Sequence, residues 1–125
     1  MRWTRRLWMT LAAISGFVSV AAGAFAAHGL TDRASEVMRT GATYEFMHAL
    51  ACFACAILMQ LGARRARFAP AFFLSGTVLF SGSLYALALG APRWTGIITP
   101  FGGLAFLIGW AVLAWAATGV DQAAA

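Results

Sequence analysis

The chain has 125 residues, 62% of them hydrophobic and 10% charged, and its net charge of +5 rests on nine arginines with no lysine. Soluble domains carry about 25% charged residues, so a globular surface of ordinary solubility is excluded. The isoelectric point near 10.7 would suggest a nucleic-acid binder in a soluble protein. Here the arginines punctuate apolar runs, no basic stripe interleaved with aromatics exists, and no nucleic-acid partner is expected.

Four uncharged runs organise the chain, counting His28 as neutral: 25 residues between Arg6 and Asp32, 18 between Glu45 and Arg64, 25 between Arg67 and Arg93, and 27 between Arg93 and Asp121. A helix needs about 20 predominantly apolar residues to cross the hydrocarbon core. The runs lack the alternation of barrel strands, and only helices satisfy their backbone as single segments in lipid. The expected fold is all-α: a polytopic four-transmembrane-helix bundle forming one integral membrane domain over residues 1–125, with the lipid bilayer as its first partner.

The first span is predicted over 7–27. Its start, MRWTRRLWMT, and the later Ala24-Phe25-Ala26 imitate a cleavable secretory signal, and Arg5-Arg6-Leu7 echoes a twin-arginine leader. The apolar run from Leu7 to Ala27 exceeds the roughly 7–15 residues of a signal core, so we expect it to be retained. Trp3 and Trp8 are expected at the interface, where aromatic rings settle. Ser15, Ser19, Ala22, Gly23 and Ala26 recur at helical spacing. Such a small-residue stripe lets a neighbouring helix approach closely.

LTDRASEVMRTG follows, the one long polar connection. Thr31 is placed to cap, Asp32 and Arg39 suit the two ends of the helix dipole, and Leu30, Ala34, Val37 and Met38 share a face. The stretch reads as a short interfacial helix ended by Gly41 or as a solvated loop. The second span is predicted over 42–61. The third, over 70–90, begins at Pro70, which a first turn tolerates, and APRW makes the turn after it. The fourth, over 100–117, has Thr99 as N-cap and Pro100 at the first helical position, with Trp110 and Trp115 toward its far end. Gly102, Gly103 and Gly109 offer a packing seam. ISGFVSVAAG and LSGTVLFSGS, the latter containing Gly82, lie about two spans apart and weakly suggest parallel repeats.

Arg2, Arg5 and Arg6 precede the first span, and Arg64, Arg65 and Arg67 fill the connection between the second and third. Two crossings put both clusters on one side, against Arg33, Arg39 and Arg93 on the other. The positive-inside rule then predicts N- and C-termini in the cytoplasm.

Candidate chemistry is confined to a few ionisable groups, since an intramembrane ionisable residue is functional by default. His28 closes span one on the side where span two begins. Tyr44 and His48 are spaced i, i+4, and Glu45 and His48 i, i+3. His28, Tyr44, Glu45 and His48 are therefore expected to form one polar cluster near the outer face, functional or structural, with Arg39 or Arg93 available to neutralise Glu45. The stripe continues through Cys52, Cys55 and Met59. Soft ligands on one face would suit copper or zinc, but cysteine and methionine are also ordinary fillers of a packing seam, and we expect no metal site. Glu45-x-x-His48 matches half of a di-iron motif whose other half is missing. No nucleophile–base pair, phosphate loop or nucleotide fingerprint occurs, so neither catalytic residues nor cofactors are predicted.

AGAFAAHGL, YEFMHAL, LFSGSLYALAL and ITPFGGLAFLIGW together resemble a family of small four-span bacterial inner-membrane proteins of unknown function, to which a small mitochondrial transmembrane protein of eukaryotes is related. The resemblance covers roughly residues 15 to 117. It implies a bacterial inner-membrane location and a retained first span, and histidines at the positions of His28 and His48 with an aromatic at Tyr44. The family pattern usually has glycine where Ala26 stands and often glutamine at Glu45, and nothing in it matches Cys52 or Cys55. It implies no reaction. The expected function is that of an interaction or accessory subunit, docking on a larger membrane complex or self-associating. The alternative is a small oligomeric transporter or channel using the polar cluster, and a membrane enzyme comes third.

Overall fold

In the computed structural model, which describes residues 2–122, four long helices are joined by short connections. They are α1 (Arg5–His28), α2 (Asp32–Gln60), α3 (Ala69–Ala88) and α4 (Thr99–Ala117), with 3₁₀ turns at Arg64–Phe68 and Arg93–Ile97 leading into α3 and α4. All four are long and apolar enough to cross a membrane. There is no strand among the described residues.

Local chemistry sets the helix ends. Thr4 caps α1, its hydroxyl accepting from the Leu7 N–H at 3.2 Å. α2 and α3 each end on a glycine in the left-handed region, Gly62 (φ 94°) and Gly90 (φ 101°). The next N–H reaches back to close the helix, Ala63 to the Leu58 carbonyl and Ala91 to the Ala86 carbonyl, each at 2.9 Å. Only glycine adopts that backbone without a Cβ penalty. Pro70 sits in the first turn of α3, as expected.

Three expectations are corrected here. No helix ends at Gly41: α2 is continuous over 29 residues, about 43 Å at 1.5 Å per residue, longer than a hydrocarbon core of about 30 Å. The presumed interfacial helix is the projecting end of span two. Gly41 lies against the ring of Tyr85, where an added Cβ would come within 2.8 Å, so it is a contact residue rather than a terminator. Thr99 does not cap α4. It occupies the first turn, and its hydroxyl bonds Ser83 of α3 at 2.5 Å. Trp8 is not an interfacial anchor: it is 2% exposed, packed in the core with Ala12, Cys52, Cys55, Phe73 and Leu113.

Neighbours in sequence are neighbours in space. α1 packs on α2, α2 on α3 and α3 on α4, while α1 and α4 barely meet among the described residues. The small-residue stripe of α1 faces α2, with Ser19 and Ala26 buried and Gly23 opposite Ala42. The α3–α4 seam alternates large against small, as close packing requires. Phe106 lies over Gly76, Phe73 over Gly109, and the backbone of Phe80 over Gly102. Gly103 is looser, an added Cβ standing 3.9 Å from the Phe80 ring, and a Cβ added at Gly82 would meet nothing within 4 Å. A side chain at Gly82 would thus point into open space. Gly16 likewise meets nothing while its counterpart Gly76 meets Phe106, so the repeat echo has no matching structural role.

Hydroxyls tie the helices further. Ser35 donates to the Ala26 carbonyl and Ser81 to the Gly41 carbonyl, each at 2.7 Å. At the end holding the arginine-rich turn, the Arg65 guanidinium donates to the Trp115 carbonyl (2.8 Å) and to the Thr118 hydroxyl (2.7 Å). It also lies 4.4 Å over the Trp115 ring. A cation at a helix C-terminus satisfies orphan carbonyls and complements the dipole.

Candidate functional site

α2 is the hub. Its residues Glu45, His48, Cys52 and Cys55 lie on the buried face, at the three- and four-residue spacing that stacks side chains along one helix. Two of them are polar at membrane depth, Glu45 with 5% exposure and His48 with 2%. Burial of such groups costs several kcal/mol unless they are hydrogen-bonded, and both are.

Glu45 is held from two sides. The Ser15 hydroxyl of α1 donates to Oε2 at 2.7 Å, and the Tyr85 hydroxyl of α3 donates to Oε1 at 2.6 Å. His48 is held along α2 and from α4. The Trp110 indole N–H donates to Nε2 at 3.0 Å, and Nδ1 lies 2.6 Å from the Tyr44 carbonyl. An indole nitrogen can only donate, so Nε2 carries the lone pair. The imidazole proton is then on Nδ1, donating to the carbonyl. This network assigns a neutral tautomer with both nitrogens occupied. The ring is clamped by aromatics, stacked on Phe106 at a 3.5 Å centroid distance and tilted against Phe73 at 5.5 Å.

The expected four-residue cluster thus resolves into two nodes on one helix. Glu45 and His48 are each brought to a partner. Tyr44, 40% exposed, contributes its carbonyl and its ring, which packs on Phe80 at 4.8 Å and stacks on His48 at 6.2 Å. His28 is exposed at the end of α1 and hydrogen-bonds to neither node. Arg39 and Arg93 do not neutralise Glu45, whose oxygens both go to hydroxyls; the ion pair among the described residues is Arg33–Glu36 at 3.6 Å. Cys52 and Cys55 are free thiols in the apolar core.

Besides Ser15, read only as part of the small-residue stripe, the sequence reading missed two members. Tyr85 is one, an aromatic that reads as apolar filler until its hydroxyl has a partner. Trp110 is the other, read only as an aromatic toward the far end of its span, eleven residues beyond the start of α4. Its depth was the available clue, because an indole N–H inside a membrane needs an acceptor. Among the described residues no buried side-chain nitrogen or oxygen lacks a hydrogen-bond partner.

A polytopic α-helical membrane protein, its four spans cross-linked by interior polar bonds, is the class that fold and site define. The chain matches the model of the family described as a protein of unknown function (DUF423) over residues 22–103. A UPF0382 membrane protein of Haemophilus influenzae is 46% identical over 112 residues, covering 86% of this chain and 90% of that one. The UPF0382 inner membrane protein YgdD of Escherichia coli is 44% identical over 118 residues, 88% of each chain. The UPF0382 membrane protein YwdK of Bacillus subtilis is 39% identical over 118 residues, 90% of this chain and 96% of that one. No solved structure matches. The chain belongs to the DUF423/UPF0382 family of small bacterial membrane proteins of unknown function, in agreement with the resemblance carried by its motifs.

Proposed function

We propose that this protein is an accessory or interaction subunit of a membrane complex, acting through its outer helix faces. One observation carries the reading: Glu45 and His48, the buried polar groups best suited to chemistry, are committed to partners on the other three helices. Interior polar bonds of this kind are glue between membrane helices. The flanking helices α1 and α4 turn large apolar residues outward, among them Phe17 and Leu107. We infer an orientation with both termini in the cytoplasm. It is supported by six arginines at the end holding the N-terminus and the Arg64–Phe68 turn, against three at the other.

Purification from native membranes in mild detergent, followed by native mass determination, tests this reading. A stoichiometric larger membrane partner is the expected result. A homo-oligomer that conducts ions or solutes in proteoliposomes, with no co-purifying chain, would overturn it.

One observation favours the transport reading: a carboxyl group, Glu45, is buried at membrane depth and paired with hydroxyls rather than a cation. Glu45→Gln separates the two readings. An amide oxygen accepts from Tyr85 as the carboxyl does, and the amide N–H₂ donates to the Ser15 oxygen. The variant is therefore expected to keep its fold, within about 1 kcal/mol of wild type, and its partner. A folded Glu45→Gln protein that has lost a pH-dependent flux would favour transport.

A further inference from the structure

Arg39 stands at the mouth of an open groove between α1 and α2. Arg39, Ala42, Thr43, Phe46 and Met47 of α2 face Ser19, Val20 and Gly23 of α1 across a space of about 330 Å³. Gly23 and Ala42 form its floor, since a Cβ on Gly23 would meet only the Ala42 Cβ, at 3.9 Å. Val20, Phe46 and Met47 give it apolar walls. A second depression, of about 370 Å³, adjoins it over Arg39 and Thr43, bordered by Glu36, Thr40 and Tyr44.

The polar groups at this mouth are unevenly employed. Glu36 is engaged by Arg33 at 3.6 Å, and the Thr40 hydroxyl donates to the Glu36 carbonyl at 3.0 Å. Among the described residues the Arg39 guanidinium has no ion pair and the Thr43 hydroxyl no hydrogen bond. The two lie one turn apart on the same face of α2. From Arg39 to the end of α2 at Gln60 the helix runs about 32 Å at 1.5 Å per residue, close to the thickness of a hydrocarbon core of about 30 Å. Arg39 therefore sits where acyl chains give way to headgroups. A guanidinium there is within reach of lipid phosphates, and its planar fork matches a phosphate.

We propose that the α1–α2 groove seats a phospholipid with a net anionic headgroup, of the phosphatidylglycerol class. An acyl chain lies along Val20, Phe46 and Met47, and the phosphate is held by Arg39 and Thr43. Charge complementarity selects this lipid over a zwitterionic one. An ethanolamine ammonium would stand beside Arg39, and the carboxylate that borders the site, Glu36, is already engaged by Arg33. The site is independent of the Glu45 and His48 nodes.

The test is native mass spectrometry of delipidated protein titrated with phosphatidylglycerol or phosphatidylethanolamine. Monodisperse elution and helical circular dichroism establish that each variant is folded. The wild type is expected to retain phosphatidylglycerol about five-fold better, the worth of one cation near a lipid surface. Arg39→Gln loses that preference, whereas Arg93→Gln, outside the groove, keeps it. Val20→Trp, which fills the groove and leaves the charge, lowers retention of phosphatidylglycerol. Equal retention of the two lipids by wild type, or an unchanged preference in Arg39→Gln, overturns the proposal. So does displacement of bound lipid by glycerol phosphate alone, which would remove the groove from recognition. A dimer mass that persists in place of the lipid adduct would assign the groove to a second copy and equally overturn it.

Discussion

Gly102→Ala is expected to destabilise the protein by about 3 kcal/mol or more, at or above the upper end of ordinary overpacking. The added Cβ would stand 2.3 Å from the Phe80 nitrogen and 2.7 Å from its Cα. Backbone cannot rotate aside as a side chain can, so α3 and α4 must separate. With a whole fold worth only about 5–15 kcal/mol, that loss is a large share of the total. The neighbouring substitution is the control. Gly103→Ala meets only Cδ2 of the Phe80 ring, at an ordinary contact distance of 3.9 Å, and alanine is a better helix former by about 1 kcal/mol, so it should be neutral or mildly stabilising. Thermal or denaturant unfolding in detergent measures both. Equal effects at the two positions would refute the close approach at Gly102.

His48→Ala should cost a comparable amount, about 3–5 kcal/mol, for a different reason. Removing the ring opens a cavity between Phe106 and Phe73, and large-to-small core changes fall in that range. Part of the loss, about 1–3 kcal/mol, comes from leaving the Trp110 N–H without an acceptor. His48→Phe divides the two contributions, because it restores the ring and not the acceptor. It is expected to lose only about 1–3 kcal/mol. A His48→Phe protein as unstable as His48→Ala would place the whole effect in hydrogen bonding. One as stable as wild type would mean the Trp110 bond contributes nothing.

Much of the architecture was legible because the bilayer is a severe solvent. Uncharged runs of sufficient length have few alternatives to spanning helices, and the four predicted spans correspond to the four helices found. What escaped reading depended on the opposite surface. Gly41 and Gly76 are close-contact glycines only because Tyr85 and Phe106 sit across from them, and no local pattern announces that. Gly41 read as a helix stop for the same reason: in water a glycine after a polar stretch ends helices, but here tertiary packing carries the helix through. Thr99 showed every mark of an N-cap, yet its hydroxyl found a stronger claim in Ser83 on the neighbouring span.

The candidate site was half legible. Glu45 and His48 stood out, since ionisable groups in an apolar run are conspicuous, and their shared face followed from spacing alone. Their partners did not stand out. Ser15 had been read as a small packing residue, Trp110 only as an aromatic toward the end of its span, and Tyr85 had not been singled out. Each is amphipathic, with a polar tip whose use is decided by a helix elsewhere in the chain. His28 was grouped with His48 because both were placed near one end. Its exposure at the close of α1 leaves it outside the interior network.

Because each helix packs chiefly on the one made before it, the bundle can be assembled in the order of its synthesis. α2 meets α1 as soon as both are in the membrane, α3 completes the Glu45 node through Tyr85, and no early span waits for a late one to supply its main neighbour. Such sequential contacts keep loop-closure costs small. His48 is the exception, since its second nitrogen stays unpaired until α4 brings Trp110. A nascent chain halted after α3 would therefore carry one unsatisfied imidazole and an uncovered Phe73. Only the fourth span, through Trp110 and Gly109, covers both and completes the interior.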